Sequence, residues 1–224
     1  MKRFLLLVAM VLPSLAAAED TLLGAAVRTR PRYDGSADRT VDVVPLLRYY
    51  GAPWFARTTQ GILEGGARSS VRRGLDVGAQ VAYEQGPRDH DPGASIGVHM
   101  EGDRTIGRVP LNGLVRLRQH VDADRGLELD ARATVGVYGS RGIAAGLFAQ
   151  ATWASEKHFE SYYGVRESGL LFTSIGALAS YELTARWQLV GSLEHRHVSD
   201  EAARSPLVER RSAVYANAGL AYRF

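Results

Sequence analysis

The sequence predicts an all-β fold, specifically a transmembrane antiparallel up-and-down β-barrel of about twelve strands, with ten as the alternative count. Three observations predict it. Apolar and polar residues alternate with period two over much of the chain. Short turns alternate with long loops between the alternating segments. The N-terminus has the build of an export signal, and no later stretch approaches the about 20 apolar residues of a membrane helix.

The first element is that signal. Lys2 and Arg3 precede an apolar run from Phe4 to Leu12, and Ala16, Ala17 and Ala18 form an A-x-A cleavage site. Residues 1–18 are therefore expected to be removed, leaving 19–224 as one outer-membrane barrel of 224 − 18 = 206 residues. Without Lys2 and Arg3 the charge balance is 25 basic against 24 acidic side chains, or about +1, with both signs interspersed. No basic block marks a nucleic-acid surface. The chain has no cysteine, which rules out disulfides and thiolate chemistry. Lys157 is the only lysine after the signal. Arginine grips phosphate bidentately, which suits lipopolysaccharide, and the same bias follows from Arg-rich codon usage.

The strands follow. The alternation places them at roughly 21–31, 40–50, 53–60, 62–70, 74–85, 94–102, 106–120, 127–138, 143–154, 173–183, 187–198 and 212–224. In "LDVGAQVAY", Leu75, Val77, Ala79, Val81 and Tyr83 share one face, opposite Asp76, Gly78, Gln80 and Ala82. In "LNGLVRLRQH" and "LELDARATVGVY" the charged residues Arg116, Arg118, Glu128, Asp130 and Arg132 likewise fall on one parity. The connections "GA", "VRRG", "GSRG" and "TAR" are turns. "PRYDGSADR", "QGPRDHDPG", "SEKHFESYYGVRESGLLF" and "SDEAARSPLVERR" are long loops. Lipid leaves no sheet edge unpaired, so the first strand must close on the last. Tyr49, Tyr50, Trp54, Tyr181, Trp187, Tyr222 and Phe224 are expected to form one interfacial girdle, and Tyr33, Tyr83, Trp153 and Phe172 the other.

The order of these pieces resembles the MipA/OmpV family (MltA-interacting protein) of Gram-negative outer-membrane proteins. The matching stretches are "RPRYDGSADRTVDVVPLLRYYGAPWFART", "LDVGAQVAYEQGPRD", "SYYGV" and the closing "SPLVERRSAVYANAGLAYRF". The resemblance implies an outer-membrane β-barrel in contact with outer-membrane lipid and lipopolysaccharide. It also implies a scaffolding role that bridges a murein hydrolase (a lytic transglycosylase) and a penicillin-binding protein. The terminal Tyr222 and Phe224 resemble the assembly signal read by the barrel-insertion machinery.

Candidate sites divide into a lumen and a rim. Arg48, Asp76, Arg116, Arg118, Glu128, Asp130, Arg132, Glu194 and Arg196 are expected to face the lumen, with Arg28, Arg30, Asp42, Glu64, Arg68, Glu84, Glu101 and Glu182. They either pair into a network that fills the barrel or line a small-solute pore; the even mixing of signs favours the network. In "EHRHVSD", His197 and Ser199 are expected to share a face. That H-x-S spacing resembles outer-membrane lipid A deacylases, a weaker alternative in which His197 activates Ser199. His195 and His197 lack a third ligand at metal spacing, and Asp89, His90 and Asp91 read as a solvated loop. The expected protein is not an enzyme, and no cofactor or metal is predicted.

Overall fold

The computed structural model describes residues 21–84 and 93–224; the predicted signal and the Asp89–His90–Asp91 stretch lie outside the described residues. The twelve strands are β1 (Leu22–Pro31), β2 (Arg39–Gly51), β3 (Trp54–Thr59), β4 (Ile62–Arg72), β5 (Leu75–Glu84), β6 (Gly93–Ile106), β7 (Val109–His120), β8 (Leu127–Ser140), β9 (Ile143–Ala154), β10 (Gly169–Glu182), β11 (Trp187–Val198) and β12 (Ser212–Arg223). Each pairs antiparallel with its neighbour, and β1 closes on β12 from Leu22↔Arg223 to Thr29↔Ala216. The seam continues past β12, where the Phe224 backbone N–H donates to Thr21 O at 3.2 Å.

The predicted parity sets the two faces. Val41, Val43, Val81 and Ile175 point outward and are more than 60 % exposed, whereas Glu64, Gln80, Arg116 and Asp130 point inward and are buried. A greasy outside around a charged inside is the arrangement of a membrane barrel. Trp187, Tyr222 and Phe224 stack edge to face at the turn end, with centroids 5.2 and 5.1 Å apart. Two predicted girdle members face inward instead. Phe172 is buried beneath the Arg196 guanidinium, and Tyr50 lies under that of Arg68. Phe172 shares the inward parity of Ser174 and Gly176 on β10; the bulge between Leu170 and Phe172 lies before it.

β3 has only six residues, and its turn therefore falls within the barrel wall rather than at the rim. Gln60 and Gly61 adopt positive φ angles of 53° and 86° there. The positive φ favours glycine at 61, and a Cβ there would lie 1.7 Å from Arg28 Nη1, so the guanidinium would have to shift. Among the described residues, β2 pairs with β3 only through Arg48–Gly51, so Arg39–Leu47 has no strand partner on that side. Pro45, which carries no N–H, lies in this stretch, as expected of an edge.

The long loop after β9 contains an element that alternation could not reveal, the helix α1 (Glu156–Tyr163). His158, Phe159, Tyr162 and Tyr163 form its buried face at helical spacing. Ser155 Oγ accepts from Leu127 N–H at 2.9 Å and ties the helix start to β8. Gly164, at φ 68°, ends the helix with its N–H on Glu160 O. With Ala154, Leu171, Phe172, Val198 and Ala202, α1 builds a small apolar core over the loop end of the barrel.

Candidate functional site

The lumen is the one interior the fold encloses, and cross-strand register decides what fills it. On β7 and β8 the pairs Arg116↔Asp130 and Arg118↔Glu128 stand directly opposite. Arg116 Nη2 lies 2.9 Å from Asp130 Oδ2, and Arg118 Nη2 lies 2.5 Å from Glu128 Oε2. Arg116 Nη1 also reaches across the lumen to Glu64 Oε2 on β4 at 2.6 Å. Glu64 Oε1 in turn accepts from Arg57 Nε at 2.5 Å, and Arg57 Nη1 from there meets Glu101 at 2.6 Å. Gln80 donates to Glu64, and Thr152 to Asp130. The result is a continuous transverse belt of charge-assisted hydrogen bonds.

Two further clusters complete the crossing. Arg28 and Arg30 converge on Asp42 at 2.7 and 3.0 Å. Arg28 also donates to Gln60 O at 3.1 Å, and Gln60 Nε2 donates to Glu194 on β11 at 2.9 Å. The mid-wall turn of β3–β4 therefore bridges the bore. Glu194 holds Arg196, which also pairs with Asp34 of the first loop at 2.8 Å and lies between the rings of Phe172 and Tyr215. The Tyr215 hydroxyl donates to the same Asp34.

The three loops described at this end lock together. Glu209 and Arg210 N–H both donate to Gly35 O, at 2.8 and 2.9 Å. The Tyr33 hydroxyl donates to Leu207 O at 3.0 Å, and the Ser205 hydroxyl to Tyr163 O. Burial holds the His158 imidazole below its ordinary pKa, against the pull of Glu128, and pushes the Tyr162 and Tyr163 hydroxyls up. A small cavity of about 170 Å³ remains between belt and loops. Below Gln60 and Gly61 a second cavity of about 1040 Å³ opens, with Arg48, Arg57, Arg108 and Arg132 on its wall.

The predicted lumen residues separate into three groups. Arg116, Arg118, Glu128 and Asp130 join the belt, and Glu194 and Arg196 the neighbouring cluster. Asp76 pairs instead with Arg68 at 3.2 Å, near the turn end. Arg48 and Arg132 line the large cavity, Arg132 with its guanidinium 3.9 Å from the Phe148 ring centroid. The sequence reading missed Arg57, since so short a strand gives little alternation to read. It also missed Asp34, Tyr215, His120 and His158. Asp34 and His158 sit in loops, whose inward turns leave no periodic trace.

His197 and Ser199 do not share a face, contrary to the expectation. His197 points outward and bonds Ser212 Oγ on β12 through Nδ1 at 2.8 Å. Ser199 is buried and accepts from Ala202 N–H at 3.2 Å. The sheet ends at Val198 and the chain enters a turn, so the two-residue period no longer applies. His195 also points outward, away from the lumen.

A closed twelve-stranded barrel with an apolar outside and a charged, loop-capped interior is an outer-membrane barrel protein. The sequence profile of the family described as MltA-interacting protein MipA matches residues 23–224, and the chain belongs to that family. Among solved structures, it is similar to an outer membrane channel from Pseudomonas putida F1 (TM-score 0.60, 12% identity, 92% of this chain and 96% of that one). It is also similar to the NanC porin (TM-score 0.53, 10% identity, 91% and 100% coverage). At these identities the likeness is one of fold. No curated protein matches the sequence.

Proposed function

We propose that this chain is a closed, non-enzymatic outer-membrane scaffold that offers its turn end, in the periplasm, to murein-processing proteins. A lytic transglycosylase is the first partner and a penicillin-binding protein the second, in line with the family's description as MltA-interacting. The chain is exported with residues 1–18 removed, and the long loops lie outside the cell. The observation that carries this reading is the belt from Arg57 through Glu64 and Arg116 to Asp130, capped by interlocked loops. A solute path would have to break buried ion pairs, whereas a docking surface needs none of them to move.

Capture from envelope extract tests the idea. The immobilised barrel should retain a lytic transglycosylase. Substitutions in the turns at 72–75, 106–109 and 140–143 should abolish retention, and substitutions in the long loops should not. Retention that follows the loops would overturn the reading.

A second reading, a gated pore for anionic solutes, rests on the large cavity with Arg48, Arg57, Arg108 and Arg132. It predicts anion-selective conductance steps in planar bilayers, where the scaffold reading predicts silence.

A further inference from the structure

At the edge of the belt, His120 at the end of β7, Glu128 at the start of β8 and His158 on α1 meet in the interior, and all three are buried. One donor atom from each lies within 4.8 Å of the others. We propose that these residues form a binding site for a borderline divalent cation of the zinc class, which fastens the loop helix α1 to the barrel wall.

Geometry is the first support. His120 Nε2 and His158 Nδ1 both approach Glu128 Oε1, at 3.2 and 3.3 Å. Two donors about 2.0–2.1 Å from a tetrahedral zinc ion are separated by about 3.3–3.4 Å. Two edges of the coordination polyhedron therefore exist already. Glu84 Oε1 lies 3.4 Å from His120 Nε2, beside this three-residue cluster.

The second support is unsatisfied bonding. His158 Nδ1 has no hydrogen-bond partner among the described residues, although it lies this close to Glu128. Buried polar atoms are seldom left so. A cation between nitrogen and carboxylate would satisfy both.

The third support is charge. The connected belt contains Arg57, Arg116 and Arg118 against Glu64, Glu84, Glu101, Glu128 and Asp130, or 3 − 5 = −2 with neutral histidines. One divalent cation balances it. The surroundings suit a ligand set as well. Arg118 holds the other oxygen of Glu128, as an outer-shell partner does. Gly126, at φ 74°, permits the close approach of α1, since a Cβ there would lie 2.5 Å from His158 N. Glu84, Glu128 and His158 border the small cavity, which gives the ion room to enter. Two imidazoles and a carboxylate select zinc, cobalt or nickel over magnesium or calcium.

The test is titration of zinc chloride into the EDTA-treated, folded full barrel, followed by calorimetry and by metal content. One zinc per chain is expected. It should be lost in His158→Ala and unaffected in a His195→Ala/His197→Ala variant, which removes the exposed imidazoles. Zinc should raise the unfolding temperature of the unsubstituted barrel and leave that of His158→Ala unchanged. Should His158→Ala fail to fold, cobalt chloride added to the unsubstituted barrel decides through the visible absorption of tetrahedral Co(II). Absence of those bands, or zinc binding that disappears only with His195 and His197, would overturn the site.

Discussion

Arg116 and Arg132 sit on neighbouring strands of one barrel wall and meet opposite surroundings. Arg116 is almost wholly buried and bonded to both Glu64 and Asp130. Arg132 stacks on Phe148 at the wall of the large cavity, with no carboxylate within ion-pair distance among the described residues. The same contrast separates the two halves of the lumen. The loop-end half is a packed ionic network in which three loops, a mid-wall turn and most of the strands share partners. The turn-end half is an open cup. What differs is which side chains face each other across the lumen. Arginine and carboxylate stand opposite each other where β7 meets β8, and small residues such as Ala144, Ala145 and Gly146 leave the cup empty. The half that would have to move for transport is the rigid one.

The largest expected effect comes from Glu64→Gln, which breaks that rigid half at its most connected point. Glu64 is buried and accepts from Arg57, Arg116, Gln80 and Thr59. Removing its charge leaves two buried guanidinium groups short of a partner, a loss of about 3–5 kcal/mol. Urea unfolding of the barrel in detergent, read by heat-modifiable migration, measures it. A loss below about 1 kcal/mol would mean that water already screens the belt.

Next comes Asp34→Asn, which cuts the link between the loop cap and the wall. Asp34 accepts from Arg196 and from Tyr215, and a charge-assisted bond of this kind contributes about 1.5–3 kcal/mol. Proteolysis of the first and last long loops should accelerate while the strands stay protected. Equal acceleration everywhere would show that cap and belt are one cooperative unit.

Much of this architecture was legible in advance, for a physical reason. A strand records its two faces at every second residue, so Arg116, Arg118, Glu128 and Asp130 could be assigned to the lumen without coordinates. Closure followed from the cost of a bare edge in lipid. The candidate site was legible only in part. Arg57 lies on a strand too short to establish a period, Asp34 enters the lumen from a loop, and His158 arrives on a helix inside a segment that read as irregular. The expectation for His197 and Ser199 failed because the period was extended past Val198, where the sheet ends. Phe172 was assigned to the girdle from its place at a strand end, whereas parity puts it inward with Ser174 and Gly176.

A smaller effect concerns assembly. Tyr222 and Phe224 stack at the closing seam, and we expect removal of Phe224 to reduce the fraction of chain inserted in the outer membrane. The folded barrel's stability should change by less than about 1 kcal/mol, because Phe224 is about half exposed (49%). Insertion as efficient as that of the full chain would remove the terminal aromatic from the assembly signal.

A similarly small effect on stability is predicted for Arg132→Ala, and for that reason it sharpens the contrast most. The side chain lines the cup and stacks on one ring, so its loss should cost about 0.5–1 kcal/mol, far below Glu64→Gln. Its charge, however, contributes to the positive field of a cavity that also holds Arg48, Arg57 and Arg108. If the cup is only a solvated recess, Arg132→Ala leaves partner capture unchanged and the bilayer silent. If it is the vestibule of a gated pore, the same substitution lowers anion selectivity in any conducting state, and Glu64→Gln raises the frequency of that state. The pair of variants therefore separates the two readings: one acts on the barrier, the other on what passes it.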